Sequence, residues 1–254
     1  SGDVLGIVWD GTGYGTDGTI WGGEFLLTDH QSCKRAAHLM PFRLPSGDKA
    51  IKEPRRTALG VLYEMFGEDV AIVTPLSAMF AENEQKVLIQ MLQKGINSPV
   101  TSSAGRLFDA VASLVGLRQR VSFEGQAAMM LEFALQEEIE AGYPFEIGGA
   151  DPLHVNWHPM IRAILADIGN APIGVISAKF HNTLAEMMVA VAKQIGVQRV
   201  CLTGGVFQNR YLTQRSHRRL TQEGFRVYTH QRVPPNDGGI SLGQVVVAAK
   251  GVRY

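Results

Sequence analysis

The sequence predicts an α/β fold, on the strength of two observations. Residues 4–10 (VLGIVWD) and 19–27 (TIWGGEFLL) are rich in β-branched and aromatic side chains, which is typical of paired strands. In the last third, a strand over 199–206 is followed by a glycine-rich turn, a helix to about residue 223, a strand over 225–230, a loop and a final helix. Alternating strands and helices indicate an α/β fold, in which ligands bind beyond the carboxyl ends of strands.

The middle of the chain is predicted to be mainly helical. Apolar residues recur at helical spacing over 53–67, 83–95, 106–116 and 124–142, and again in PMIRAILADIG and PIGVISAKFHNTLAEMMVAVAKQIG. The segment 143–157 is rich in proline and glycine and is predicted to be a surface loop or a connection between lobes. We therefore expect two domains, 1–150 and 151–254.

The composition limits the class of protein. The 254 residues are 45% hydrophobic, and 24 lysines and arginines balance 24 aspartates and glutamates. The sequence therefore has no excess of basic residues that would favour a nucleic-acid partner. No apolar run reaches the length of a transmembrane helix, and no signal peptide opens the chain, so we expect no membrane partner. Two distant cysteines, Cys33 and Cys201, do not make a disulfide framework, which favours a reducing, cytoplasmic compartment.

A glycine-rich stretch, 8–23 (VWDGTGYGTDGTIWGG), separates the first two predicted strands. Its glycines permit positive φ angles and allow a ligand to approach the backbone closely. One interpretation is a long hairpin, which an Asp-Gly pair between apolar segments favours. The other is a loop whose amides face an anion with the help of Asp10 and Thr12. The residues alone leave both open.

Two further loops follow predicted strands near the C-terminus. In LTGGVFQN (202–209), Gly204 and Gly205 allow the backbone to approach a flat ring or a phosphate, and Asn209 could bind a base edge; a tight strand-to-helix turn is the alternative. In PPNDGG (234–239), Asp237 either caps the following helix or binds a hard metal ion or a metal that carries phosphates.

A pair of histidines has the spacing of a zinc site on a helix. His154 and His158 are four residues apart. However, Pro152 and Pro159 disfavour a continuous helix through both, and the glutamate of a metalloprotease is absent. We therefore reject a metalloprotease.

Three other polar residues allow more than one interpretation. His181 lies on a predicted helix, where we expect a packed or surface histidine. Asp109 and Glu124 flank a helical turn. They are either ordinary solvated carboxylates or hydrogen-bond partners of ribose hydroxyls.

Three motifs in order resemble one family. GIVWDGTGYGTDGTIWGGEFLL, LTGGVFQNRYL and PPNDGGISLGQ resemble the C-terminal carbamoyltransferase domain of HypF, the [NiFe]-hydrogenase maturation proteins, and the resemblance extends along essentially the whole chain. Wider relatives are the TsaD proteins of threonylcarbamoyladenosine synthesis and the carbamoyltransferase TobZ. The resemblance implies the actin/hexokinase/Hsp70-like fold, two RNase H-like lobes with nucleotide in the cleft. Because the sequence begins without methionine and close to a strand, we expect a truncated N-terminal lobe.

The resemblance also implies binding roles. The residues that it assigns to the nucleotide or carbamoyladenylate are Asp10, Gly11, Thr12, Gly13, Asp109, Glu124, Gly125, Gly204, Gly205 and Asn209. The first four would face the phosphate or carbamoyl end, the next three the ribose, and the last three the adenosine. Asp237 would bind the active-site metal, iron or zinc, whose other ligands in the family are histidines of a HHHAH-type segment that this sequence does not contain.

The implied reaction uses ATP and carbamoyl phosphate. Carbamoyl phosphate is hydrolysed to carbamate, ATP converts this to carbamoyladenylate, and the domain passes the carbamoyl group to the C-terminal cysteine of the partner HypE. No residue of the sequence stands out as a covalent nucleophile. Two alternatives are a phosphotransferase of the same superfamily and a nucleotide-binding fragment without activity that docks a maturation partner.

Overall fold

The computed structural model describes residues 2–29, 32–73 and 76–250. The strands in these residues are β1 (Val4–Tyr14), β2 (Ile20–Thr28), β3 (Cys33–Leu39), β4 (Phe42–Arg43), β5 (Val100–Thr101), β6 (Glu146–Gly148), β7 (Leu153–Asn156), β8 (Arg199–Thr203) and β9 (Arg226–Tyr228). The α-helices are α1 (Asp48–Lys52), α2 (Pro54–Phe66), α3 (Leu76–Met79), α4 (Glu82–Lys94), α5 (Ala104–Leu114), α6 (Gln126–Phe133), α7 (His158–Asp167), α8 (Ile173–Ile195), α9 (Arg210–Gln222) and α10 (Ile240–Lys250).

The described strands form one mixed sheet. Its main path runs β6-β7-β3-β2-β1-β8-β9, with β5 paired to β2 and β4 to β5. Strands β1, β2 and β3 are antiparallel neighbours, whereas β1 is parallel to β8 and β8 is parallel to β9. Three antiparallel strands followed by two parallel ones is the order of an RNase H-like lobe. The predicted α/β class is confirmed.

Strand β1 lies near the middle of the sheet and brings the first and last thirds of the chain together. Leu5, Ile7 and Trp9 alternate with less buried residues and are fully buried, as expected for one face of a strand. In the parallel register Leu5 pairs with Val200 and Val8 with Thr203. The last residue of β8 therefore lies beside Val8, and the turn that follows β8 lies beside Trp9 and Asp10 of β1.

The boundary predicted near residue 150 falls inside the hairpin of β6 and β7. Strands from both sides of it belong to the same sheet, since β7 pairs with β3 and β8 pairs with β1. The sheet therefore does not divide at this point.

Two segments contain strands that were not predicted. The segment 143–157 holds β6 and β7, and residues 33–39 (CKRAAHL), for which no strand was predicted, form β3. Strand β3 was not predicted because it carries several polar residues. Hydrogen bonds to β2 on one side and β7 on the other stabilise it as a strand. Such pairing depends on context more than on the composition of the strand itself.

The helix predicted over 124–142 ends much earlier, at Phe133. Beyond it the backbone is held by a side chain from α8, because Asn182 Nδ2 donates hydrogen bonds to the carbonyl oxygens of Ile139 and Ala141 at 2.7 and 2.8 Å. These bonds satisfy carbonyls that a helix would use internally. A tertiary contact thus overrides the helical spacing.

Helix α5 is buried along its whole length. It packs against α2 and β1, and Phe108 contacts Phe180 of α8 edge-to-face with ring centres 4.9 Å apart. This packing fixes the start of α5 beside Asp10 and Gly11 of β1. Within the described residues, no helix combines the length and hydropathy needed to cross a lipid bilayer.

Candidate functional site

A cleft with a volume of about 1020 Å³ lies between α5 and α6 on one side and the turn after β8 with α9 on the other. Its walls combine aromatic rings, carboxylates and guanidinium groups, among them Phe108, Glu124, Glu132, Tyr211 and Arg215. A concave site of this size with a few convergent polar groups is the expected place for a small-molecule ligand.

The glycine-rich stretch between β1 and β2 contains both a turn and a bulge. The turn is at 15–19, where Gly15 N donates to Thr19 O at 3.0 Å, so the predicted hairpin is confirmed. The bulge is earlier: pairing shifts between Trp9 and Gly13, which leaves residues 10–12 opposite one residue of β2. Bulges of this kind redirect the backbone near functional sites. The hairpin interpretation therefore covers only part of the stretch.

The bulge directs the carboxylate of Asp10 to two loops. Asp10 Oδ1 accepts a hydrogen bond from Gly11 N at 2.7 Å, and Oδ2 accepts one from Gly205 N at 3.1 Å. Ser103 Oγ lies 2.8 Å from Asp10 O and 2.7 Å from Gly11 O. The bulge of β1, the turn after β8 and the start of α5 are thus held together.

The turn after β8 accepts only glycine at its first position. Gly204 has φ +107°, and a Cβ built there would lie 2.1 Å from the carbonyl oxygen of Trp9. At Gly205 a Cβ would lie 2.9 Å from Asp10 Oδ1. The close approach of β1 to this turn therefore requires glycine at position 204, whereas a side chain at position 205 would displace the Asp10 carboxylate.

The PPNDGG loop is attached to the same turn. Gly204 N donates to Pro235 O at 2.8 Å. Asn236 Oδ1 accepts from Gly238 N at 3.2 Å, so Asn236 rather than Asp237 supplies the side-chain cap at this point. Asp237 is exposed.

The metal prediction has one candidate ligand in this loop. No group of three His, Cys, Asp or Glu side chains is placed to hold a metal ion anywhere in 2–29, 32–73 and 76–250. These residues alone therefore do not fit a complete metal site. Asp237 as a metal ligand stays a prediction.

Asn209 caps α9 and lines the cleft. Its Oδ1 accepts from Leu212 N at 2.8 Å, a contact typical of an N-cap. Its Nδ2 lies 2.9 Å from Nε2 of His181. The side chain of Asn209 is therefore held at both ends while it faces the cleft.

Asp109 is buried beside a guanidinium. It is 3% exposed, and its Oδ2 lies 3.1 Å from Nη1 of Arg106. Burial raises the pKa of Asp109 from 3.8 to about 6, and the Arg106 charge opposes this rise. Asp109 is not among the residues that line the cleft. Its ribose-binding role stays a prediction.

Glu124 and Gly125 do line the cleft. The Glu124 side chain is exposed, and its Oε1 lies 3.9 Å from Arg106 Nη2. Gly125 has φ +78° and precedes α6. A Cβ on Gly11 would lie 3.2 Å from both Arg106 Nη2 and Glu124 Oε1, so the bulge of β1 borders this corner of the site.

The rejected histidine pair lies on two elements. His154 belongs to β7, and His158 is the first residue of α7. No helix runs through both, which confirms the expectation drawn from the flanking prolines.

Comparison with known proteins assigns the family. Residues 6–244 match the family model described as "Carbamoyltransferase, Kae1-like Domain, second subdomain" of HypF. The chain belongs to the HypF carbamoyltransferase family. It is 40% identical over 267 residues to the carbamoyltransferase HypF of Synechocystis sp., covering 99% of this chain and 35% of the relative. It is also 40% identical over 255 residues to HypF of Rhodobacter capsulatus, covering 98% of this chain and 32% of that protein.

Solved HypF structures agree with this assignment. The crystal structure of full-length HypF in its phosphate- and nucleotide-bound form superposes with a TM-score of 0.88 and 42% identity, covering 100% of this chain and 34% of that one. HypF of T. kodakarensis superposes with a TM-score of 0.82 and 30% identity, covering 98% and 34%. The chain thus spans about a third of the length of these HypF proteins.

The fold brings most of the predicted HypF-type residues to one region. Glu124, Gly125, Gly205 and Asn209 line the cleft itself. Those that lie behind it or at its border are Asp10, Gly11, Asp109 and Gly204. Thr12 is exposed in the bulge, and Gly13 has returned to the ladder opposite Trp21. Their assignment to nucleotide binding is a proposal that follows from this placement.

Sequence reasoning missed the far wall of the cleft, on α9. Arg210, Gln214 and Arg218 follow one another at intervals of four residues, as do Tyr211 and Arg215, and all five line the cleft. Spacing of this kind puts side chains on one side of a helix and was the available signal.

Proposed function

We propose that this chain forms the nucleotide-binding part of a carbamoyltransferase in [NiFe]-hydrogenase maturation, with carbamoyladenylate held in the cleft. The observation that carries the proposal is the joining of the three motif loops by Asp10 and Gly204 at the border of that cleft. A relative with 42% identity is described in a phosphate- and nucleotide-bound form, which supports a nucleotide as a ligand in this family.

The adenosine is assigned to the end of the cleft at Asn209. This amide lies on the wall with its orientation fixed, and Phe108 and Tyr211 offer ring surfaces nearby. Gly205 allows the backbone to come close to a planar group. Together these groups can bind a base through one directed hydrogen bond and apolar contact.

The phosphate and carbamoyl end is assigned to the bulge of β1. There the Arg106 guanidinium lies close to Gly11, and Arg106 is 3% exposed. A buried guanidinium can bind an anion strongly because little water competes for it. The acidic Asp109 and Glu124 beside it keep the corner from being strongly cationic before the ligand arrives.

The transfer step needs only correct positioning of two reactants. The thiolate of the HypE C-terminal cysteine attacks the carbamoyl carbon, a C–S bond forms, the C–O bond to the adenylate breaks, and AMP leaves with the electron pair. A cleft that excludes water protects the mixed anhydride from hydrolysis until the thiolate arrives. A reducing cytoplasm would keep that acceptor thiol available, as it would the free Cys33 and Cys201 of this chain.

The nucleotide site is tested by titrating ADP into the 254-residue chain by calorimetry. Binding that Asn209→Ala weakens about tenfold or more supports the assignment, since one directed hydrogen bond in a desolvated site contributes on this scale. The matched control is Asn170→Ala, an exposed asparagine outside the cleft, which should bind as the unmodified chain does. No binding by the unmodified chain would contradict the proposed site.

Transfer is tested with carbamoyladenylate and HypE, by mass spectrometry of the HypE C-terminal cysteine. A carbamoylated cysteine whose yield falls in Asn209→Ala supports the proposed reaction. Binding of ADP with an unmodified cysteine would favour the docking alternative instead.

A further inference from the structure

His181 is fully buried in α8 and packed among aromatic rings. Its ring centre lies 5.2 Å from that of Phe108, 5.7 Å from Phe180 and 5.8 Å from Tyr211. Two of these rings, Phe108 and Tyr211, line the cleft. A surface role is therefore excluded, and a packed histidine, one of the two expectations from sequence, is confirmed.

The hydrogen bonds of His181 define which ring nitrogen carries the proton. Nδ1 lies 2.8 Å from the carbonyl oxygen of Ser177, which can only accept, so Nδ1 is the donor. Burial lowers the pKa of His181 from 6.5 to about 4, so the ring is neutral near pH 7. In a neutral ring with the proton on Nδ1, Nε2 is an acceptor.

The acceptor Nε2 faces Asn209. The amide nitrogen of Asn209 lies 2.9 Å from it, and the amide oxygen accepts from Leu212 N at 2.8 Å. The two partners fix the oxygen and nitrogen positions of the amide independently, since a flipped amide would put an oxygen against the Nε2 lone pair and an NH₂ group against an N–H donor. The hydrogen bonds from Ser177 O through His181 to Asn209 therefore fix one tautomer of His181 and one orientation of the Asn209 amide.

Asn209 retains two hydrogen-bonding positions beyond those that His181 and Leu212 use. A primary amide has two N–H groups and two lone pairs. One of each is used by His181 and Leu212, which leaves one N–H and one lone pair. A donor beside an acceptor is the pattern that matches the edge of an adenine base.

We propose that His181 is a positioning residue that orients Asn209 for adenine binding. The inference rests on the proposed nucleotide site and adds to it a residue that does not line the cleft. Without the imidazole acceptor, only the bond from Leu212 N would hold the Asn209 amide, and part of the ligand's binding free energy would be spent on ordering the amide nitrogen.

The test compares ADP binding by the unmodified chain, His181→Phe, Asn209→Ala and the double variant. Phenylalanine keeps a ring in the aromatic pocket but offers no acceptor. We expect His181→Phe to weaken ADP binding about five- to tenfold, and the double variant to bind no more weakly than Asn209→Ala alone, because both changes remove one interaction. The control is His217→Phe, an exposed histidine of α9.

Two further measurements keep the inference testable if His181→Phe does not fold. His181→Gln retains an acceptor and should bind ADP within about twofold of the unmodified chain. In ¹⁵N spectra at pH 7, the Nε2 resonance of His181 should be that of an unprotonated nitrogen and should move in Asn209→Ala and on addition of ADP, while the resonances of His217 do not.

The possible failures are distinct. If the unmodified chain binds no ADP, the nucleotide site and the role of His181 both fall. If it binds ADP but His181→Phe binds equally well, or if the losses of the two single variants multiply in the double variant, only the positioning role falls. A protonated Nε2 at pH 7 would also overturn it.

Discussion

The carboxylate of Asp10 accepts a hydrogen bond from the backbone N–H of Gly205, across 195 residues of sequence. This single contact joins the bulge of β1 to the turn after β8. Because Asp10 also accepts from Gly11 N, one carboxylate oxygen is held by the bulge itself while the other bonds to the turn after β8. The shape of the cleft border therefore depends on one side chain.

Asp10→Ala should loosen this junction. We expect the free energy of unfolding to fall by about 2 kcal/mol, the usual scale for hydrogen bonds to a charged group, and ADP affinity to fall about tenfold. Urea unfolding and calorimetry measure the two effects. Asp69→Ala, at an exposed site away from the cleft, is the control and should change neither quantity appreciably. If Asp10→Ala binds ADP with unchanged affinity, the contact between Asp10 and Gly205 does not contribute to the binding site.

Gly204→Ala should be among the most harmful small substitutions in the chain. The new Cβ would meet the carbonyl oxygen of Trp9 at 2.1 Å in addition to an unfavourable φ of +107°. The expected loss is about 3 to 5 kcal/mol of unfolding free energy, the sum of backbone strain and a steric clash. Gly224→Ala separates the two causes, because Gly224 has φ +88° but open space around it, and should cost only about 1 to 2 kcal/mol. Equal losses at both positions, measured in urea, would contradict the clash.

Asn182→Ala should release the segment after α6. It removes two donors to carbonyl oxygens, of Ile139 and Ala141, and the acceptor of the Tyr211 hydroxyl. We expect a loss of about 2 to 3 kcal/mol in unfolding free energy. Hydrogen exchange of the amides in 136–143 should also become faster than in the unmodified chain. Asn170→Ala removes an exposed contact of the same type and should change stability by less than about 0.5 kcal/mol.

Two buried groups should give opposite pH dependences of stability. The pKa of Asp109 is raised to about 6, so the folded state holds its proton more tightly, and the unfolding free energy falls as pH rises from about 4 to 6. The pKa of His181 is lowered to about 4, so the unfolded state binds the proton more tightly, and the unfolding free energy rises over about the same window. Each change is on the order of 3 kcal/mol.

Substitution should reveal each of these slopes. Relative to the unmodified chain, Asp109→Asn should become more stable as pH rises from about 4 to 6, and His181→Phe less stable, in urea unfolding measured at several pH values. Arg106 and Glu124 are the charged neighbours that modulate Asp109, so both must be left in place. Variant profiles that run parallel to the unmodified chain would show that neither group titrates as its burial implies.

The parts of the fold that sequence predicts are those with strong local patterns. Strand β1 alternates buried and less buried residues, and α2, α4, α5 and α8 have apolar residues at helical spacing, so both periods are visible without a structure. Strand β3 was missed because its pairing with β2 and β7 decides its conformation. The end of α6 was misplaced because Asn182, more than 40 residues away, binds the backbone beyond it.

The candidate site likewise has features that the sequence predicts and features that depend on tertiary packing. The glycines of the three loops are visible because backbone geometry demands that residue type, as at Gly204. The roles of Asn209 as a helix cap and of His181 as its partner were not visible, because the two residues meet only when α8 packs against α9. The Arg106–Asp109 pair has the spacing of a helical ion pair, yet its burial depends on the packing of α5.

The parallel pairing of β1 with β8 has a consequence for synthesis of the chain. The antiparallel strands β1 to β3 can associate as soon as β3 has emerged from the ribosome, since they are close in sequence. Strand β8 follows β1 by about 195 residues, which takes about 10 to 40 s at usual rates of translation. During that interval one edge of β1 has no partner, and an exposed edge can pair with other chains. The nascent protein should therefore need protection by chaperones until β8 arrives, and the cleft is completed only after α9 has been synthesised.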